Sequence, residues 1–180
     1  SASTGLFFRE DNCDFDQNGT NGIYIAGGSN IWITNAYVSS NIHSGILTTS
    51  TFGGVLRIND VDCRGNKRNG IYINGTNHSK IHITNPHCAA NGSLTDATYH
   101  GISCTNEVND ITIIGGQCGG DMEGNTNGSN TNSGNHQAYG IFCNNTSSQS
   151  SRRINIHAVD VTDNVTGRIQ WNGLADTTSP

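Results

Sequence analysis

The chain has 180 residues, a formal net charge of −5, 33% apolar residues and only 13% charged ones. That length suits one domain rather than two, the low charge excludes disorder by self-repulsion, and a mildly acidic chain without a basic stripe speaks against nucleic acid as a partner. Gly, Asn, Ser and Thr stand where charge is missing, with two Pro and one Met, so turn formers abound and the composition predicts an all-β chain.

Short β-type runs follow one another from the start. The first, LFFREDNCDFD, begins at Leu6, and NGIYI follows at Gly22. IWITNAYVSSN begins at Ile31 and SGILT at Gly45; VLRINDVDCRGN places Leu56 and a second NGIYI begins around Gly70. KIHITNPHCAAN places Ile81 and HGISC Gly101; DITIIGGQCGGD places Ile111 and YGIFC Gly140; RINIHAVDVTDN places Ile154, and GRIQW closes the series at Gly167. The anchors Leu6, Ile31, Leu56 and Ile81 are 25 residues apart, and the next two steps widen to 30 and 43. Six copies of one unit therefore cover nearly the whole chain, and a fixed period is the mark of a repeat architecture.

A period of this length with no helix-period segment predicts a parallel β-solenoid, each coil laying its strands about 4.8 Å from those of the coil before. Equivalent residues then form columns. Ile31, Leu56, Ile81, Ile111 and Ile154 make one inward column, and Ile33, Ile58, Ile83, Ile113 and Ile156 a second, two residues on. Ile23, Ile46, Ile71, Ile102 and Ile141 make a third on the Gly-led run. Cys13, Cys63, Cys88 and Cys118 are expected to share a column with Val38 and Val161, and Cys104 and Cys143 one with Ile25 and Ile73. Thiols interchangeable with Val and Ile read as small buried hydrophobes rather than disulfides. The closing Asn41, Asn66, Asn91 and Asn164 form a further column, with Asp121 in the fifth coil and Asp16 or Asn18 in the first. Such amides can pass hydrogen bonds from coil to coil.

With its 25-residue coils, stacked Ile columns and Asn ladder, the chain resembles the right-handed parallel β-helix of the pectate-lyase-like superfamily over about residues 6–171. That group includes polysaccharide lyases, glycoside hydrolases, epimerases and phage tailspikes. The resemblance implies a single-stranded right-handed parallel β-helix of about six coils. Family members protect the ends of the stack, often with an N-terminal amphipathic helix. None is visible here, so residues 1–180 read as one β-helix domain that is a fragment or central module of a longer protein. Insertions at 92–100 and 122–139 fall at the same edge of successive coils, where long loops of a solenoid either gather into a functional face or make tolerated excursions.

Function is sought in outward columns. Tyr24, Leu47, Tyr72, Ser103 and Phe142 share one, and an apolar outward stripe suits a sugar platform, a subunit interface or a surface beneath a loop. Because tailspikes are trimers, the resemblance favours Tyr24, Tyr72 and Phe142 as interface residues of a homotrimer. Trp32, Arg57 and His82 form a second outward column; Tyr37, Asp62, His87, Gln117 and Asp160 form a third. Rings, guanidinium, imidazole and carboxylate at coil spacing suit a carbohydrate groove, or a solvated surface. Trp32, Tyr37, Arg57, His82 and His87 are the candidate substrate-binding residues.

Glycoside hydrolysis wants two carboxyls, about 5 Å apart for retention or roughly 6.5–9.5 Å for inversion. Asp60 and Asp62, two apart on what reads as one extended run, are one candidate pair; Asp121 and Glu123 at the root of the long insertion are another. A lyase would draw on Arg57, Arg64 and His82. No metal motif occurs and no cofactor is expected, and no apolar run approaches the about 18 residues of a membrane span. The expectation is an extracellular or virion tailspike-type module that binds a bacterial surface polysaccharide and, as an enzyme, would depolymerise it by glycoside hydrolysis. The alternatives are a stand-alone secreted polysaccharide lyase or epimerase and a non-catalytic trimerising shaft.

Overall fold

The computed structural model of the chain describes residues 7–49, 52–78, 80–95, 98–108, 110–119, 137–144, 153–162 and 164–172. Alternating aliphatics separated by Gly, Asn and Ser give strands, and every regular element among these residues is one. In order they are β1 (Phe7–Asp11), β2 (Ile23–Ile25), β3 (Asn30–Thr34), β4 (Ile46–Thr48), β5 (Val55–Asn59) and β6 (Ile71–His78). There follow β7 (Lys80–Thr84), β8 (Ile102–Val108), β9 (Asp110–Ile114), β10 (Tyr139–Asn144), β11 (Arg153–His157) and β12 (Gly167–Asn172).

The strands divide by parity. Odd-numbered strands form one parallel six-stranded sheet in the order β1-β3-β5-β7-β9-β11, and even-numbered strands another in the order β12-β10-β8-β6-β4-β2. Single-residue parallel bridges run through Asp14, Tyr37, Asp62, His87, Gln117 and Asp160 as a third, narrow ladder. Each repeat thus adds one strand to each sheet and one rung to the ladder, an arrangement consistent with a β-helix-like solenoid. Among the described residues no helix is long and apolar enough to cross a membrane.

The core is the predicted set of columns. Ile31, Ile33, Leu56, Ile58, Ile81, Ile83, Ile111 and Ile113 are at most 2% exposed, as are Ile46, Ile71, Ile102 and Ile141 from the other sheet. Each such side chain is worth about 1.5–3 kcal/mol over leaving it in water. No single repeat can cover its own apolar side, so this energy becomes available only when repeats stack.

Two columns of left-handed residues turn the chain. Asn12, Asn35, Asp60, Asn85 and Ala158, with Gly115, have φ between 46° and 65° between the first sheet and the ladder. Gln17, Ser40, Gly65 and Ala90 turn it again after the ladder. Asn and Asp tolerate this conformation better than other side chains, which accounts for the recurring Asn after the first strand of each unit. The Gly opening each second strand has a different cause. A Cβ on Gly45 would lie 2.6 Å from the Gly70 carbonyl oxygen and 2.9 Å from Asn66 Nδ2, and Gly70 meets Gly101 and Asn91 in the same way. Only glycine lets consecutive repeats close over the amide ladder.

That ladder runs unbroken through the described repeats. Asn18 Nδ2 donates to Asn41 Oδ1 at 2.9 Å, Asn41 to Asn66 at 2.9 Å, Asn66 to Asn91 at 3.0 Å, Asn91 to Gln137 Oε1 at 2.9 Å and Gln137 Nε2 to Asn164 Oδ1 at 2.9 Å. Asn18 rather than Asp16 begins it, and the fifth place belongs to Gln137, not Asp121. An ionised carboxylate accepts but cannot donate onward, so an amide is required, and the chain returns to the ladder at Gln137, near the end of the long insertion. Asp121 and Glu123 lie outside the described residues, as does most of 122–139.

The first repeat departs from the predicted register. Phe8 pairs with Ile31 and Asp14 with Tyr37, so its spacing is two residues shorter than the 25 expected from Leu6, which lies outside the described residues. A two-residue shift preserves inside–outside alternation, and the hydrophobic pattern cannot detect it. In consequence Phe15, not Cys13, leads the thiol column. Cys13 is half-buried and donates to Glu10 Oε2 at 2.9 Å. All six cysteines are free thiols. Cys88 is pushed well above its ordinary pKa by burial, Cys118 by its hydrogen bond with Cys88 and then burial, and Cys104 by its hydrogen bond with Cys143 and then burial. Protonated thiols of this kind serve as core packing.

Candidate functional site

Inward positions are consumed by packing, so recognition chemistry falls to three outward faces. On the first sheet, Trp32, Arg57 and His82 are in-register neighbours on β3, β5 and β7. All three are half-buried. The Arg57 guanidinium carbon lies 5.4 Å from the centre of the Trp32 ring, a distance at which the ring face attracts a cation. Thr34, Asn59 and Thr84 form the next outward row and supply hydroxyl and amide groups beside it.

The bridge ladder carries a second group. Tyr37, Asp62 and His87 are consecutive rungs, and Arg64, two residues after Asp62, brings its guanidinium carbon to 5.5 Å from the Tyr37 ring. Arg64 Nη2 lies 2.6 Å from Asp62 Oδ2, and His87 Nδ1 is 3.4 Å from Asp62 Oδ1. The first is a charge-assisted hydrogen bond. The second is a looser electrostatic contact, for Asp62 Oδ1 is buried without a hydrogen-bond partner.

Asp60 does not join Asp62 on an extended run. Its φ of 51° places it at the corner before the ladder, where its Oδ1 accepts from Asn85 Nδ2 at 3.0 Å. Asn35 donates to Asp11 in the equivalent position one repeat away from it. The two carboxylates thus serve different neighbours: one supports a turn, the other holds an arginine. The sequence signal for this was Asp60 falling in column with Asn35 and Asn85.

The outer face of the second sheet is divided. Tyr24 is 60% exposed, whereas Tyr72 and Phe142 are half-buried and Ser103 between them is buried. His100 covers Phe142, with ring centres 4.2 Å apart and planes 12° from parallel, and Tyr139 lies 5.8 Å from His100. Thr105 Oγ1 donates to the Tyr72 hydroxyl at 3.3 Å. The stripe is therefore open at Tyr24 and roofed at Phe142 by the end of the 92–100 insertion. Burial lowers the His100 pKa from 6.5 to about 4, keeping it a neutral ring in the stack. His100 escaped the sequence reading because its slot, just before the strand glycine, holds Asn21, Ser44 and Asn69 in earlier repeats. Arg68, whose guanidinium carbon lies 5.9 Å from the centre of the Tyr99 ring, was missed as well.

Among the described residues no group of three or more His, Cys, Asp or Glu side chains is placed to hold a metal ion. Comparison with protein-family models, with curated proteins and with solved structures returned no match.

Proposed function

We propose that this chain is a right-handed parallel β-helix module of tailspike type, exported or carried on a virion, that binds a bacterial surface polysaccharide as a homotrimer. The observation that carries the reading is the pair of neighbouring outward faces on which a ring, a guanidinium and an imidazole recur at repeat spacing. A polymer offers repeated apolar sugar faces and hydroxyls, and a rigid array of rings and polar groups at fixed intervals suits it. Tyr24 and Tyr72 provide the subunit surface in this reading, with Phe142 supporting it from beneath His100.

Binding is better supported than hydrolysis at the Asp60/Asp62 pair. A glycosidase acid must present a proton to the leaving oxygen, but Asp60 is engaged by Asn85 and Asp62 by Arg64. The test is retention on a panel of immobilised capsular and lipopolysaccharide glycans, with reducing ends measured in parallel. Retention that falls at least tenfold in Trp32→Ala, without release of reducing ends through Asp60 or Asp62, is the expected result; no retention on any glycan sinks the reading. Light scattering after size exclusion checks the trimer, and a clean monomer removes that part.

A further inference from the structure

Two thiols of the second sheet face each other across the boundary between coils. Cys104 on β8 and Cys143 on β10 are in-register partners of parallel strands, both inward and at most 3% exposed. Neighbouring strands of a sheet lie about 4.8 Å apart, inside the roughly 4.4–6.8 Å between Cα atoms that a disulfide spans. The side chains already meet, for the two thiols are hydrogen-bonded. The other in-register neighbour of Cys104 is Ile73, and that of Cys143 is Trp171, so along this column each thiol has the other as its single thiol neighbour. The column of Cys63, Cys88 and Cys118 differs, because there Cys88 is hydrogen-bonded to both of the others.

The pair also stands where the chain between coils is longest. The glycines at the head of the second-sheet strands, Gly22, Gly45, Gly70, Gly101, Gly140 and Gly167, are separated by 23, 25, 31, 39 and 27 residues. Cys104 and Cys143 span the 39-residue step. A cross-link removes more freedom from the unfolded chain the longer the loop it closes, so a covalent tie between consecutive coils has its greatest effect here.

We propose that Cys104 and Cys143 are a redox-modification site, at which an oxidant of the peroxide class joins them in a disulfide that staples the fourth coil to the fifth. One thiol, as thiolate, attacks an oxygen of hydrogen peroxide; the S–O bond forms, the O–O bond breaks, and the departing hydroxide takes up a proton to leave as water. The second thiol gives up its proton and attacks the sulfenic sulfur, so the S–S bond forms, the S–O bond breaks and a second water leaves. Two thiols and one peroxide become one disulfide and two waters, with two electrons passing from sulfur to oxygen. The hydrogen bond with Cys143, and then burial, push the Cys104 thiol well above its ordinary pKa, so thiolate is scarce and the reaction is slow at neutral pH. Outside a reducing cytosol the product persists. The link forms on the inner side of the strand that carries the His100–Phe142 stack, whatever the outer faces bind.

In the experiment the folded wild-type chain is incubated with hydrogen peroxide at mildly alkaline pH, blocked at its remaining thiols and cut on the amino side of aspartate. That cleavage puts Cys104 in fragment 96–109, Cys118 in 110–120 and Cys143 in 121–159, with Cys63 and Cys88 together in 62–95. The expected product is fragment 96–109 joined to 121–159 and separated again by dithiothreitol, with a Tm about 5–10 °C above that of the reduced chain. Cys143→Val should show neither the joined fragment nor the gain in Tm. Cys118→Val, which matches Val38 and Val161 in its column, should keep both. Fragment 62–95 joined to 110–120 instead, sulfinic acid at Cys104 or Cys143 without a link, or thiols left untouched overturns the inference. A link that leaves Tm unchanged overturns it as well, since the coils are then not held by it.

Discussion

Repeats three and six follow the same pattern, VLRIN and RINIH, with aliphatic residues two apart at the second and fourth places. Leu56 and Ile58 in the third are 0% exposed, while Ile154 and Ile156 in the sixth are only half-buried. The strands have similar length and the same alternation. What differs is that β5 is paired on both sides, by β3 and β7, whereas β11 pairs with β9 alone among the described strands. The amide ladder shows the same contrast. Asn66 accepts from Asn41 and donates to Asn91, all three buried, while Asn164 is half-buried and, besides the Cys118 carbonyl bond that Asn66 matches at Val38, donates to the carbonyls of Val161 and Thr162 in its own repeat. In a stack, stability belongs to the interface between repeats rather than to the repeat.

Three perturbations probe this contrast. The largest effect is expected at the ladder. Asn66→Ala would strand the Asn41 amide and the Val38 carbonyl in a site closed to water. Each orphaned buried group costs about 1–3 kcal/mol, so a loss of roughly 3–6 kcal/mol in urea unfolding is expected. Asn164→Ala should lose less than half of that. Equal losses would show that the ladder is held locally and not by stacking. Next comes the core: Ile83→Ala should cost about 2–5 kcal/mol, and Ile156→Ala, already partly in water, distinctly less. A sixth repeat as sensitive as the fourth would mean that further chain covers it.

The smallest effect is expected at His100, which roofs the second sheet where the earlier repeats carry Asn21, Ser44 and Asn69. Its folded pKa of about 4 lies below the ordinary 6.5 because burial disfavours the charged ring. As pH falls from about 6.5 towards 4, the unfolded chain takes up a proton that the folded one refuses. Stability contributed at neutral pH is therefore lost across that window, by about 1–3 kcal/mol. His100→Phe keeps the stack on Phe142 and should flatten this part of the profile. Thermal unfolding of both chains at pH 7, 5.5 and 4.5 decides it, and identical profiles would show that His100 does not titrate in this way.

The aliphatic columns were legible because burial between two sheets accepts little but branched apolar side chains, and the ladder because its Asn must both donate and accept. The departures are equally physical. Leu6 and Phe8 are two residues apart, and alternation alone does not separate them as the first anchor. Asp121 stood at the right distance from Ile111 but lacks the donor that Gln137 brings from near the end of the insertion. Asp60 looked like the partner of Asp62 because a run of letters does not announce a left-handed corner, although Asn35 and Asn85 in its column carried the hint. At the candidate site, the Trp32–Arg57–His82 column followed from the period. Arg64 over Tyr37 and His100 over Phe142 did not, since each depends on a side chain leaving its own row.

The sequence by itself determined the period, the all-β character and the inward columns, because these are set by which side chains tolerate burial at alternate positions. Only the tertiary structure decided the register of the first repeat, the member that completes the amide ladder and the separate duties of Asp60 and Asp62. Those depend on where the backbone turns and which neighbour it then meets, and such contacts between repeats have no counterpart in local order along the chain.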